Sequence, residues 1–222
     1  MIITYLGGEF VKVQFGDTVL AFNPPSKDSK LKSSRFGADV VLVSVNHLDF
    51  NGTETLGIGA KQPFIIQGPG EYEVKGVVVR GFGTTADYGG EAKPNSKDSV
   101  AQEKKINTVY TVELEGMNLC FLGALSSGEL PAELKEELDE VDILFVPVGG
   151  ALSPAAAEKL AVALEPHLVI PVHYEGLGTP GALKQFLKEA GAEKTEAQDK
   201  LTLKKKDLEG KEGEVVVLSP QG

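Results

Sequence analysis

The sequence has 222 residues, of which 41% are hydrophobic and 24% are charged, and this composition excludes disorder over most of the chain. Its 22 basic and 32 acidic residues give a formal net charge of −10, which argues against a nucleic-acid-binding surface. The sequence starts without a basic leader, and no stretch approaches the roughly 18 uninterrupted apolar residues that span a membrane. We therefore expect a cytoplasmic protein that binds neither nucleic acid nor a membrane.

The first half of the chain predicts short strands, because runs rich in β-branched and aromatic residues alternate with glycine-containing turns. The run Val40–Val45, which is apolar except at Ser44, is typical of a strand that is buried on both faces. The strands predicted up to residue 122 are Ile2–Leu6, Phe10–Phe15, Thr18–Phe22, Val40–Val45, Phe64–Gln67, Tyr72–Val74, Val77–Phe82, Thr108–Glu113 and Leu119–Leu122.

Helices are predicted only later in the chain, where they alternate with strands. An amphipathic helix opens at Pro131, a second helix starts at the Ser153-Pro154 cap, and a third starts at the Thr179-Pro180 cap. Hairpins followed by helix-strand units indicate an α+β layered domain in which helices cover sheet faces. The remaining predicted strands are Ile143–Val146, Val169–Val172, Leu201–Leu203 and Val215–Leu218.

We expect a single domain over residues 1–222. Residues 91–105 are polar and lack apolar periodicity, which predicts a flexible surface loop. An exposed hairpin tip is the simpler interpretation of this segment, and a lid over a substrate is the alternative.

Polar residues directly after two buried strands are the first candidate site residues. His47 and Asp49 follow the strand that begins at residue 40, and His173 follows Val169–Val172. At i and i+2 of an extended segment, His47 and Asp49 point to the same side, and an imidazole with a carboxylate suits zinc. Spacing alone also permits a hydrogen-bonded loop pair, which is the commoner role of a His-x-Asp sequence. The only cysteine, Cys120, is expected to be a core residue, so histidines and carboxylates must supply any metal ligands.

Several segments of the chain resemble the metallo-β-lactamase superfamily. The run Ala38–Asn51 looks like that family's strand and ligand loop, whose pattern is Thr-His-x-His-x-Asp-His. The segments Asp142–Gly150 and Val169–Tyr174 resemble the later strands of its compact branch of zinc-dependent hydrolases, and the opening Ile2–Pro25 fits as well. The resemblance implies a four-layer αββα sandwich with two metal sites at one edge of the sheets.

The metal ligands of the family are largely missing from this chain. Apolar residues stand where the alignment on His47 places the other ligands, namely Val45, Phe50, Ala86 and Ala124. The matching ligands that remain are His47, Asp49 and His173, and the resemblance assigns the first to one metal site and the other two to the second. Neither site then has the roughly three protein ligands that a catalytic zinc needs.

We therefore predict a degenerate metal centre in a binding or scaffold protein that derives from a hydrolase and takes an unidentified small molecule or protein. Zinc is expected at low occupancy at most, and Asp49 and His173 are expected to hydrogen-bond each other.

The alternative is an active mononuclear hydrolase of an ester, amide or phosphodiester, which holds one metal ion through His47, Asp49 and His173. In that case Asp87 or Glu71 replaces a lost ligand, and Asp49 is catalytic. Assembly with other proteins is a third hypothesis, and the sequence does not indicate the oligomeric state.

Overall fold

The computed structural model describes residues 1–57, 62–88, 105–138, 140–150, 152–174 and 177–222. The predicted surface loop at 91–105 lies outside these residues except for Lys105, which is the first residue of a strand. The prediction of a loop was therefore wrong at Lys105, because its backbone pairs with Ala86 across a long hairpin.

Six strands form the N-terminal sheet. They are β1 (Ile2–Tyr5), β2 (Val11–Phe15), β3 (Thr18–Phe22), β4 (Val40–Val43), β5 (Phe64–Gln67) and β12 (Leu201–Thr202). Their spatial order is β12-β1-β2-β3-β4-β5. The neighbours from β12 to β3 pair antiparallel, whereas β3, β4 and β5 run parallel, so the ends of β3 and β4 point to the same edge.

Seven strands form the C-terminal sheet. They are β6 (Gly70–Val74), β7 (Val77–Ala86), β8 (Lys105–Leu114), β9 (Met117–Phe121), β10 (Ile143–Pro147), β11 (Leu168–Val172) and β13 (Glu214–Val215). Their spatial order is β13-β11-β10-β9-β8-β7-β6, with β9, β10, β11 and β13 parallel and the others antiparallel. The predicted strands are present, and most differ from the observed ones only at their ends.

Three α-helices occur in the described ranges: α1 (Ala132–Glu137), α2 (Pro154–Leu164) and α3 (Ala182–Glu189). The Ser153 hydroxyl caps α2 by accepting a hydrogen bond from the Ala156 amide, as predicted. The cap predicted for α3 was wrong, because Gly181 at φ 80° precedes the first helical residue. None of these helices is long and apolar enough to cross a membrane.

The core lies between the two sheets, as the predicted sandwich requires. Phe22 of the N-terminal sheet stacks on Phe121 of the C-terminal sheet at 4.8 Å, and Phe145 packs 6.1 Å from Phe22. A second cluster lies between the C-terminal sheet and the helices and includes Leu134, Leu160 and Phe186. Leu56 and Phe36 belong to a third cluster, which covers the other face of the N-terminal sheet. The predicted α+β sandwich of two facing sheets is confirmed.

The two sheets are joined by hydrogen bonds at the edge where the parallel strands end. The Thr108 amide of β8 donates to the Ser44 carbonyl, just after β4, at 2.8 Å. The Tyr110 hydroxyl donates to the Val43 carbonyl at 2.8 Å. These bonds fix the segment after β4. This edge, called the rim below, also includes the segment after β11, and the two segments carry the candidate residues.

Candidate functional site

His47, Asp49 and His173 all contact one side chain, Tyr88, which lies two residues beyond the end of β7. The Tyr88 ring centroid lies 5.0 Å from that of His47 and 5.6 Å from that of His173, both edge to face. The Tyr88 hydroxyl donates a hydrogen bond to Asp49 Oδ2 at 2.8 Å. The rim thus brings the three predicted residues together around Tyr88, which the sequence analysis had not singled out.

The Asp49 carboxylate is held by protein donors on both oxygens. Ser29 Oγ donates to Oδ1 at 2.5 Å, and Tyr88 donates to Oδ2. His47 Nδ1 lies 3.4 Å from Oδ2 and accepts a hydrogen bond from the Asp49 amide at 3.2 Å. The predicted hydrogen bond between Asp49 and His173 was wrong, because each group has a different partner.

His173 is instead paired with Glu9, a residue in the turn between β1 and β2. The distance from His173 Nδ1 to Glu9 Oε1 is 2.6 Å, and both side chains are at most 1% exposed. Nε2 of His173 is buried and has no hydrogen-bond partner among the described residues. Gly150 lies beside it, and a Cβ at that position would come within 3.1 Å of Nε2.

The Glu9 carboxylate belongs to a buried polar chain that continues across the rim. Asn23 Nδ2 donates to Glu9 Oε2 at 2.6 Å and lies 2.7 Å from Ser44 Oγ. Asn23 Oδ1 accepts a hydrogen bond from the Ser44 amide at 2.7 Å. Buried polar groups are stable only when they are satisfied in this way, so the chain Glu9, Asn23, Ser44 fixes the imidazole of His173.

The four positions that the resemblance aligns with missing ligands are neighbours in the structure. They form one buried apolar cluster, against which Tyr88 and Leu177 pack, and its members are Val45, Phe50, Ala86 and Ala124. Phe50 is fully buried, and its ring lies 4.6 Å from that of Tyr88 and 6.2 Å from that of His173. Apolar side chains and a phenol ring therefore fill the space beside the three predicted ligands.

A metal ion needs several ligand atoms that converge on one point. In the parts of the chain that the structure describes, no group of three or more His, Cys, Asp or Glu side chains could hold one. The two proposed replacement carboxylates, Glu71 on β6 and Asp87 after β7, are both exposed. Among the described residues of the rim, the Asp49 oxygens bond Ser29 and Tyr88, and His173 Nε2 is the buried ligand-type atom without a partner, so these atoms do not make up the ligand set of a zinc centre.

The cysteine Cys120 and the third histidine, His167, lie outside the rim. Cys120 is buried in β9, and burial raises the pKa of its thiol to about 12, which agrees with the predicted core role. His167 precedes β11 and borders a cavity of about 710 Å³ beneath α2 and α3. This cavity lies at the opposite end of β11 from His173 and is separate from the rim.

The electrostatics of His47 lead to a testable pH dependence. Burial lowers the pKa of His47 below its ordinary value of 6.5, while the neighbouring Asp49 opposes this effect. The unfolded chain then binds more protons than the folded chain just below pH 6.5. We expect stability to be complete above pH 6.5 and to fall as the pH drops through the folded pKa of His47.

Urea unfolding in the presence of a chelator, from pH 7.5 to pH 5, measures this slope, and NMR titration of the imidazole identifies the group. The His47→Gln variant should show a shallower slope below pH 6.5 than the unaltered protein. A His47 that titrates at or above 6.5 would contradict the prediction.

Comparisons with known proteins agree with this architecture. The model of the beta-lactamase superfamily domain matches residues 2–173. A Thermotoga maritima structure, described as a Zn-dependent hydrolase of the metallo-β-lactamase superfamily, has 28% identity and a TM-score of 0.73, and the match covers 98% of this chain and 97% of that one.

Two further structures match at lower identity and show the shared fold alone. One is described as a metal-dependent hydrolase from Parabacteroides distasonis, with 16% identity, a TM-score of 0.62, and coverage of 98% of this chain and 93% of that one. The other is a metallo hydrolase from the archaeon Ignicoccus hospitalis, with 18% identity, a TM-score of 0.59, and coverage of 99% and 95%. No protein of curated function matches the chain.

Proposed function

Because this chain belongs to the beta-lactamase superfamily, we propose that it is a binding or scaffold protein in which the metal centre of a hydrolase has degenerated. The ligand is a small molecule or a protein, bound in the cytoplasm. The acidic net charge of −10 supports a partner other than nucleic acid.

The observation that carries this proposal is the engagement of the surviving candidate ligands with the protein itself. Asp49 accepts hydrogen bonds from Ser29 and Tyr88, and His173 Nδ1 pairs with Glu9. A divalent ion would have to break the contact between Asp49 and Tyr88 and would then sit beside an apolar cluster. Desolvation without a full set of ligands disfavours such an ion.

One observation favours the alternative, an active mononuclear hydrolase with Asp49 as a catalytic residue. A histidine whose Nδ1 bonds a carboxylate presents Nε2 as metal ligands do, and Nε2 of His173 has no partner among the described residues. The binding or scaffold function is the better supported of the two, because a single free imidazole nitrogen cannot hold a catalytic metal ion.

Metal content separates the two functions. We expect protein purified without chelator to contain zinc at well below one ion per chain, and to hydrolyse generic esters and phosphodiesters at the rate of buffer. Plasma mass spectrometry measures the first quantity, and spectroscopic assays with and without added zinc measure the second. Chelator-treated protein is the control, and stoichiometric zinc with metal-dependent turnover would establish the alternative.

A further inference from the structure

Tyr88 fills a pocket in which each part of its side chain has a suitable partner. The hydroxyl donates to Asp49 Oδ2 at 2.8 Å, and the ring packs against Phe50 at a centroid distance of 4.6 Å. The rings of His47 and His173 meet it at 87° and 85°, the edge-to-face geometry that aromatic pairs prefer. The buried apolar side chains of Val45, Ala86 and Ala124 complete the wall of the pocket.

These contacts are the ones that a protein would use to recognise one particular chemical group. A hydrogen-bond acceptor stands at one end, and flat aromatic and apolar surfaces surround the rest, which suits a six-membered aromatic ring with a hydroxyl group. We propose that the rim is a binding site for a neutral phenol group and that Tyr88 occupies this site in the free chain. The inference rests on the proposed function, since a metal ion at Asp49 would displace the phenol.

The site selects the protonated form of a phenol. Ser29 fixes the Asp49 carboxylate from its other oxygen, so Asp49 presents a lone pair to the phenol and no donor. A phenolate or an aryl phosphate would be repelled by the negative charge of the Asp49 carboxylate and should not bind at this site.

A ligand can replace the Tyr88 side chain because this side chain is only partly buried and lies beyond the end of β7 at Ala86. An external phenol must compete with this tethered side chain, whose effective concentration is in the millimolar range or above. The unaltered protein should therefore bind a free phenol much more weakly than a variant that lacks the Tyr88 ring.

The test uses p-cresol, which is the tyrosine side chain in free form, and toluene, which lacks only the hydroxyl. We expect Tyr88→Ala to bind p-cresol at least tenfold more tightly than the unaltered protein does, and at least tenfold more tightly than it binds toluene. Calorimetric titration at pH 7 gives the affinities, and the melting temperature of Tyr88→Ala should rise with p-cresol.

Two control variants define the site. Tyr72→Ala also removes a partly buried tyrosine, but the Tyr72 hydroxyl donates to the carbonyls of Gly68 and Pro69 and not to a carboxylate among the described residues, so this variant should gain no affinity for p-cresol. The double variant Tyr88→Ala with Asp49→Ala should lose the preference for p-cresol over toluene. If Tyr88→Ala does not fold, refolding should be recovered by p-cresol and not by toluene.

The proposal is overturned if Tyr88→Ala gains no affinity for p-cresol, if it binds toluene equally well, or if the unfolded variant is not recovered. Zinc titration of the unaltered protein is run in parallel. Stoichiometric zinc there would overturn the proposed function, whereas a negative p-cresol result without zinc binding would overturn this inference alone.

Discussion

Replacement of Glu9 by alanine is expected to lower the free energy of unfolding by about 2 to 6 kcal/mol, because it leaves two buried hydrogen-bond donors without an acceptor, at roughly 1 to 3 kcal/mol each. Both Glu9 and His173 are almost fully buried, and the carboxylate also accepts a hydrogen bond from Asn23. The variant would leave His173 Nδ1 and one hydrogen of the Asn23 side-chain amide without an acceptor, while the other hydrogen keeps its bond to Ser44 Oγ. Chemical denaturation in urea, with the slope checked for two-state behaviour, measures the loss.

The surface pair Lys211 and Glu214 is the matched control. Its carboxylate also has one side-chain partner, but the Lys211 and Glu214 side chains are 29% and 52% exposed. Glu214→Ala should cost less than about 1 kcal/mol. Glu9→Gln keeps the shape of the side chain, so its loss of unfolding free energy should lie between those of Glu9→Ala and Glu214→Ala. Equal losses for Glu9→Ala and Glu214→Ala would show that the buried pair does not stabilise the rim.

The Glu9 pair also helps to fix the shape of the rim. His173 has a φ of 63°, a left-handed conformation that a non-glycine residue adopts only when its surroundings enforce it. Its amide donates to the Gly8 carbonyl at 2.6 Å, and its side chain bonds the next residue, Glu9. The turn after β1 thus fixes the segment after β11 through two adjacent hydrogen bonds.

Much of this architecture was predictable from the sequence, because local pattern determines strands and caps. The apolar run that contains β4 and the Ser153-Pro154 cap of α2 each depend on residues that are close together in the sequence. The resemblance to a known family added the prediction that the segments after β4 and after β11 lie at the same edge of the sheets. The positions of His47 and His173 at one edge follow from that pairing.

The partners of the site residues were not predictable in the same way. Glu9 and His173 are 164 positions apart, and the only local signal was an acidic residue between apolar strands, next to two glycines. The hydrogen bond from Tyr88 to Asp49 spans 39 positions and depends on how far β7 extends. β7 was expected to end at Phe82, whereas it continues to Ala86, which carries Tyr88 to the rim. The length and pairing of strands that are far apart in the sequence therefore decide which polar groups come into contact.

Restoration of the missing ligands is expected to create a zinc site, because the four aligned positions are neighbours in one cluster. The variant combines Val45→His, Phe50→His, Ala86→His and Ala124→Asp, with Tyr88→Ala to clear the phenol ring. Without zinc it should be less stable than the parent, since three imidazoles and a carboxylate would replace buried apolar groups. With zinc at about 100 to 1,000 times its dissociation constant, the folded state should gain about 3 to 4 kcal/mol.

Thermal unfolding with and without zinc reports this gain, and calorimetry gives the number of ions bound. The matched control adds His173→Asn, because asparagine tolerates the positive φ of 63° and removes one ligand without straining the backbone. Its zinc affinity should fall by at least tenfold, which is about 1.4 kcal/mol. If the restored variant folds but its melting temperature does not respond to zinc, then the rim no longer has the geometry of a metal centre. In that case changes in the backbone, and not only the lost side chains, would account for the loss of the metal.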